Sequence, residues 1–408
     1  MLHDPARHVS LADIAWDAPR ARAAIARIVR DTVHAFTPEG WWPPHPGDFE
    51  PGDDPATPAT PLYYGATGVV WALRYLRAVG AADAPSYAEH LDALFGANRR
   101  WLAAMGDEAA GSYLMGDLPI EMMAWDEAPS AARADRIAAL VEANIDHPAC
   151  ELMWGAPGSL LAAAFMQRRT GDERWARLFR RIASHLRMQL QWSPVHECQV
   201  WAQDLYGRHS RYLDAVHGFV ATACALIQGR HLLDGDDWAE WQRCIERTIA
   251  HTARREGGMA TWPVQADEPA GHPQKRLMQF CHGAPGFVIC LAHLPGTALD
   301  ALLVEAGEAV WAAGPLAKGS NLCHGTGGNG YAFLVLHART GDARWLARAR
   351  SFAMHGLLQL EVAARETGRL RHSLWTGDPG FAIYLWDCLR AKAAFPTLDV
   401  FFGERAAA

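Results

Sequence analysis

Stretches that are apolar nearly all round alternate along this chain with stretches that have one dry face and one wet face. GVVWAL from Gly68, GSLLAAAF from Gly158 and GYAFLVL from Gly330 are of the first kind. RWARLFRRIASHLRMQL from Arg174 and RWLARARSFAMHGLLQL from Arg344 are of the second. A helix apolar on every side has to be buried, whereas a helix with a single apolar stripe can face water. Leu and Ala dominate the apolar runs while Val and Ile are sparse, which favours helices over strands. The pattern predicts an all-helical chain of buried helices, each followed by an amphipathic partner.

The buried helices share a start signal. Seven turns carry it, with first glycines at Gly65, Gly116, Gly155, Gly218, Gly283, Gly325 and Gly377. Successive ones lie 39 to 65 residues apart, enough for two helices and their connections. A second internal match joins apolar helix to amphipathic helix: RTGDERW from Arg169 and RTGDARW from Arg339. An inner ring of buried helices inside an outer ring of amphipathic ones is an α/α toroid, here with seven inner helices. Glycine at each inner start permits a tight turn and lets the seven N-termini crowd around one end of the ring, which would be the functional face. An open helical solenoid with no special face is the alternative arrangement of such repeats.

Residues 1–61 are read as an N-terminal helix and a Pro-, Gly- and Asp-rich loop leading into the toroid of residues 62–408, the whole forming one domain. The loop, from Phe36 to Pro61, contains WWPPHPGDFEPGDDPATPATP and either covers the toroid mouth or merely connects.

The net charge of −7 over 408 residues, with Arg scattered along helices, lacks the basic stripe of a nucleic-acid binder. The N-terminus has no signal-like apolar core and no run approaches membrane-spanning length. Together these predict a cytoplasmic chain with no membrane span. The eight cysteines are thinly spread with no C-x-x-C pair, which argues against a disulfide framework. A closed ring needs no partner, so a monomer is expected.

Three of the seven turns carry reactive groups: His217 before Gly218, Cys281 and His282 before Gly283, and Cys323 and His324 before Gly325. Two thiolates and an imidazole suit zinc, and three protein ligands leave the open position that a catalytic site needs. The bland alternative makes the cysteines small buried residues and the histidines caps or core donors. The literal G-T-G-G-N-G from Gly325 matches a dinucleotide fingerprint, but no strand is expected before it, and the repeat accounts for the glycines.

With FCHGAPGF and LCHGTGGNGYAFL in place and all seven glycine turns present, the sequence resembles the LanC-like family, the lanthionine cyclases and their cellular relatives. The resemblance implies a seven-fold α/α toroid and one Zn²⁺ held by Cys281, Cys323 and His324. It also implies a catalytic imidazole at His217 facing the metal and an acidic residue, Glu151, near it. Lys318, five residues before Cys323, matches the position that binds the peptide thiol in the glutathione-adding cellular members. His282 after the first zinc cysteine also matches those members, where peptide cyclases commonly have Tyr. Phe280 stands where Trp is usual, and Ala221 replaces the expected glycine after His217.

A zinc-bound thiol is deprotonated at neutral pH and can add to the β-carbon of dehydroalanine or dehydrobutyrine. The α-carbon must then be protonated, for which His217, tuned near neutrality by the metal or Glu151, is the candidate acid. The expected function is therefore zinc-dependent thiol addition to dehydroamino acids. The thiol is glutathione or a peptide cysteine, and the acceptor is a dehydrated peptide or protein, with a lanthipeptide dehydratase as a further partner in the cyclase case. Two alternatives remain open. A carbohydrate-active toroid would use its 17 tryptophans on sugars and carboxylates such as Glu151, Asp117 and Asp378 as acids. A non-catalytic zinc scaffold would bind peptides at the mouth.

Overall fold

The computed structural model describes residues 2–48, 58–106, 109–267 and 275–403. Its helices are α1 (Ala18–His34), α2 (Ala66–Ala78), α3 (Leu91–Ala104), α4 (Leu118–Glu127), α5 (Ala131–Ala143), α6 (Ala156–Thr170) and α7 (Glu173–Met188), followed by α8 (Phe219–Gln228), α9 (Gly235–Thr252), α10 (Ala284–Cys290), α11 (Asp300–Ala313), α12 (Thr326–Thr340), α13 (Ala343–Thr367) and α14 (Asp378–Arg390). The even-numbered helices are the seven that start at the glycine turns. Each contacts the next in the even series, and α14 returns to contact α2, so the inner ring is closed. The chain is an all-α, seven-fold α/α toroid, and the open-solenoid alternative is excluded by this closure.

Burial follows the sequence pattern. Every residue of α8 and α10 is buried. The outer helix α7 instead buries a stripe made by Trp175, Leu178, Phe179, Ile182 and Leu186 and leaves its arginines outside. Outer helices α3, α5, α7, α9, α11 and α13 follow their inner partners along the chain. The seventh outer place is taken by α1, which packs on α13 and α14. The N-terminal helix is thus a working part of the ring.

The copied RTGD turns are built alike. Gly171 and Gly341 end α6 and α12 in the left-handed region, with φ of 69° and 71°. Asp172 and Asp342 then cap α7 and α13, each accepting the backbone N–H two residues on at 2.8 Å. The second glycine of the inner turns is there for space. A Cβ on Gly328 would sit 1.9 Å from the Leu322 carbonyl oxygen, and one on Gly380 would sit 1.9 Å from that of Leu374. The glycines of G-T-G-G-N-G lie in the start of α12, with Gly330 pressed on the Tyr384 ring, so they form a packing surface.

Among the described residues, three small antiparallel hairpins add to the all-helical expectation: β1 (Gln191–Ser193) with β2 (Cys198–Val200), β3 (Gln203–Leu205) with β4 (Arg208–Ser210), and β5 (Arg254–Glu256) with β6 (Met259–Thr261). They occupy the connections that follow α7 and α9. Tyr206–Gly207 and Gly257–Gly258 form two-residue turns with positive φ at both positions, which suits tight hairpins. None of the eight cysteines is in a disulfide. No helix among the described residues is long and apolar enough to cross a membrane.

Gly328→Ala should lower the denaturation midpoint by the equivalent of about 2–3 kcal/mol, because backbone must move to admit the methyl group. Gly235→Ala, at the first residue of α9 where a Cβ meets nothing within 4 Å, should be neutral or slightly stabilising. Equal midpoints for the two variants in guanidinium titration would contradict this account of the inner turns.

Candidate active site

The residue two before each first glycine belongs to a ring of backbone hydrogen bonds around the mouth. The N–H of Tyr63 donates to Leu114, that of Leu114 to Met153, and that of Leu152 to Val216. Further on, Cys281 donates to Cys323, Cys323 to Trp375, and Trp375 back to Tyr63. Six junctions out of seven are stitched in this one direction. At the remaining junction, between the His217 and His282 turns, Val216 N–H turns back to Asp214 at 3.0 Å. Asp214 also faces the His282 Nδ1 at 2.9 Å, so a side-chain pair spans the gap.

Cys281 and Cys323 are neighbours in this ring, which is why two residues 42 apart in sequence bring their thiols together. Each sulfur has one further partner. The Gln279 amide donates to Cys281 Sγ at 2.9 Å, and the Tyr63 hydroxyl lies 2.8 Å from Cys323 Sγ. The Cys323 contact and burial push the Cys281 thiol well above its usual range. Tyr63 is pushed up as well, by burial and by the sulfurs beside it, and stays a phenol.

His217 Nδ1 lies 2.9 Å from Glu151 Oε2. Glu151 is fully buried and also accepts the backbone N–H groups of Met153 and Trp154, so it caps its own turn and holds the imidazole at once. Burial favours the neutral ring, but the bond to Glu151 and the charges of Glu151 and Asp214 win, raising His217 to about 9. That exceeds the near-neutral value expected from sequence, because the carboxylate partner is itself cut off from water. His282 behaves alike: burial opposes the charge and Asp214 restores it, raising the ring to about 8.

His324 is different. Burial, together with the nearby charges of Lys318, Arg371 and Arg7, lowers it to about 4, leaving a neutral imidazole. Among the described residues no three His, Cys, Asp or Glu side chains are gathered to hold a metal ion. The structure therefore joins Cys281 to Cys323 and sets His324 beside the cationic wall of the mouth. The donor set still fits a soft metal: two adjacent thiols, of which Cys281 is held protonated without a cation, and a neutral imidazole on the residue after Cys323.

A cavity of about 660 Å³ opens here, lined by Tyr63, His324, Lys318 and Arg371 on one side and by Trp42 and Trp101 on another. Trp42, Pro43, Pro44, Gly47 and Asp48 of the Phe36–Pro61 segment all line it, and Asp48 holds Arg371 at 2.5 Å. The described part of that segment thus lines this cavity; residues 49–57 lie outside the described residues. Phe280 stacks on Phe395 at 4.5 Å and meets Trp375 edge-on, keeping an aromatic wall below the thiols. Ala221 is fully buried and its turn is intact.

The other carboxylates proposed from sequence are bound up in turns. Asp117 takes the Asn98 amide and pairs with Arg99, while Asp378 accepts the Arg371 backbone N–H. Sequence reasoning missed Asp214, Gln279, Tyr63 and Tyr206. Asp214 and Gln279 stand four residues before their first glycines, the offset that singles out Glu151, and applying it to every turn finds both. Tyr206 comes from the tip of the β3–β4 hairpin, where its hydroxyl accepts the Trp154 indole N–H at 3.1 Å and its ring approaches His217.

A family model described as lanthionine synthetase C-like protein matches residues 124–400. Glutathione S-transferase LANCL1 of Danio rerio is 36% identical over 137 residues, 32% of this chain and 33% of that protein. LanC-like protein GCL1 of Arabidopsis thaliana is 29% identical over 252 residues, 58% of this chain and 54% of that protein. The chain thus spans about a third to a half of the curated relatives it matches. Among solved structures, nisin cyclase superposes with a TM-score of 0.58 at 16% identity, covering 90% of this chain and 93% of that one, a likeness of fold.

The His217–Glu151 pair has a sign that can be tested. A histidine near 6.5 when unfolded and about 9 when folded stabilises the fold fully below pH 6.5, and the contribution disappears as pH rises through about 9. In metal-free protein, His217→Gln should be less stable than the parent by about 3 kcal/mol at pH 6.5, with the gap narrowing by pH 10. Thermal melts showing a constant gap would contradict the ion pair.

Proposed function

Because the chain belongs to the lanthionine synthetase C-like family, we propose that it joins a thiol to the β-carbon of a dehydroalanine or dehydrobutyrine residue in a peptide or protein. The observation that carries the reading is the sulfur pair of Cys281 and Cys323, flanked by two imidazole–carboxylate pairs at the toroid mouth. Cys281, Cys323 and His324 would hold zinc, and the bound ion would supply a thiol activated at neutral pH.

The rest is work for this chain's own side chains. The incoming thiol releases its proton to solvent, because His282, raised to about 8 by Asp214, already carries its charge at neutral pH and steadies the thiolate instead. A sulfur–carbon bond forms at Cβ, and the electron pair of the former double bond moves to Cα. His217, cationic at neutral pH with Glu151 fixing its Nδ1, delivers a proton to Cα from Nε2, so one S–H and one C=C become one C–S and one C–H. Tyr206 and Tyr212 crowd the His217 ring and limit water beside it.

Glutathione is the proposed donor. Its carboxylates suit the cationic wall of Lys318 and Arg371, which shares the cavity with His324. An internal peptide cysteine is the second reading, since the same cavity has an aromatic side in Trp42 and Trp101 that suits a peptide chain. The carbohydrate reading finds no support, because Asp117 and Asp378 are taken up by structural contacts.

The protein should purify with one zinc per chain, and Cys281→Ala and Cys323→Ala should each lose it in metal analysis; full retention in either removes that residue from the site. Glutathione should add to a dehydroalanine peptide, and Lys318→Ala should raise the glutathione KM roughly tenfold, the loss of about 1.4 kcal/mol for one charge-assisted contact. If glutathione is inert while a peptide carrying both a cysteine and a dehydro residue cyclises, the donor is the peptide's own thiol.

A further inference from the structure

The segment before α1 is stapled to both cysteine-bearing turns. Asp4 N–H donates to the Arg276 carbonyl, three residues before Gln279. Val9 N–H donates to Pro315, and Ala317 N–H donates back to Arg7, just ahead of Lys318. From this strap the Arg7 guanidinium reaches inward and donates to Gln279 Oε1 at 3.1 Å. Gln279 is buried, and its Nε2 faces Cys281 Sγ at 2.9 Å.

An amide can in principle point either way, but arginine has only donors, so the Gln279 oxygen must face Arg7. The NH₂ group is then obliged to face the sulfur. We propose that Gln279 is a positioning residue for Cys281, with its amide oriented by Arg7 so that it donates a hydrogen bond to the sulfur that holds the metal. The inference rests on the zinc reading above. A donated N–H draws negative charge off a thiolate, steadies it as a ligand and fixes its direction, and outer contacts of this type commonly change metal affinity by about 10- to 100-fold. On the other sulfur, Cys323, the Tyr63 hydroxyl stands in the same relation without any help from the strap.

The test uses the full chain with zinc, then with cobalt in its place. Gln279→Met keeps the volume and removes the donor; it should weaken zinc about tenfold in chelator competition and move the sulfur-to-cobalt charge-transfer band to longer wavelength, because the thiolate becomes more electron-rich. Arg7→Ala, on the half-buried strap, should act in the same direction by several-fold, Arg7→Lys should recover part of the loss, and Arg7→Ala should add little on top of Gln279→Met. Parent affinity and an unshifted band in Gln279→Met overturn the proposal, as does an Arg7→Ala effect equally large in both backgrounds; should Gln279→Met not fold, the Arg7 pair of variants decides by the same band. A parent chain that takes up no zinc overturns the metal reading itself and this proposal with it, which is a different result from zinc bound with unchanged affinity.

Discussion

The backbone ring that runs through Tyr63, Leu114, Met153, Val216, Cys281, Cys323 and Trp375 is the constraint on which the site depends. Helix packing alone would bring the seven N-termini to one end, but with the tolerance of ridges and grooves, several degrees and an ångström or more. A hydrogen bond between successive turns fixes their register to a fraction of that. Once the residue two before each glycine is locked in place, side chains at equivalent positions on adjoining turns must meet. Cys281 and Cys323 meet for this reason. The same register fixes the imidazoles one position further on, at His217, His282 and His324.

Those three imidazoles occupy equivalent places yet carry opposite charge tendencies, and the cause is one residue each. Glu151 and Asp214 face His217 and His282 from buried positions and keep them cationic, whereas His324 looks toward Lys318 and Arg371 and stays neutral. Each carboxylate comes from the turn before its imidazole, four residues ahead of that turn's glycine; in the turn before His324 the same place holds the amide Gln279, which is engaged by Arg7 and Cys281 instead. A change from carboxylate to amide at one offset thus separates two proton carriers from a neutral ring with a free lone pair.

Much of this was legible in the sequence because it is written in positions that repeat. The glycine starts, the RTGD joints and the apolar run of each inner helix gave the toroid, and the paired CHG turns gave the reactive face. What escaped was of two kinds. Asp214 and Gln279 repeat too, but at an offset where most turns merely need some polar cap, so their chemistry is visible only once their neighbours across the ring are known. Tyr63 stands at the repeated place two before its glycine, but most turns fill that place with an apolar side chain; Arg7 and the hairpin residue Tyr206 reach the site from distant chain segments through the third dimension, and no local period announces them. The place of α1 in the outer ring is hidden for the same reason: its amphipathic stripe says that it packs, and only closure says where.

That last helix has a consequence for how the molecule comes into being. Residues near position 25 must find residues near position 385, the largest sequence separation any helix pair in the ring has to bridge. A chain emerging from the ribosome makes its inner–outer pairs in order, each from local contacts, but α1 finds its main helix partners only once α13 and α14 have been synthesised. Until then its dry stripe of Ile25, Ile28 and Val29, and the matching face of the growing arc, stay open to other chains and to chaperones. Quality control of this protein is thus concentrated in one late, long-range docking event.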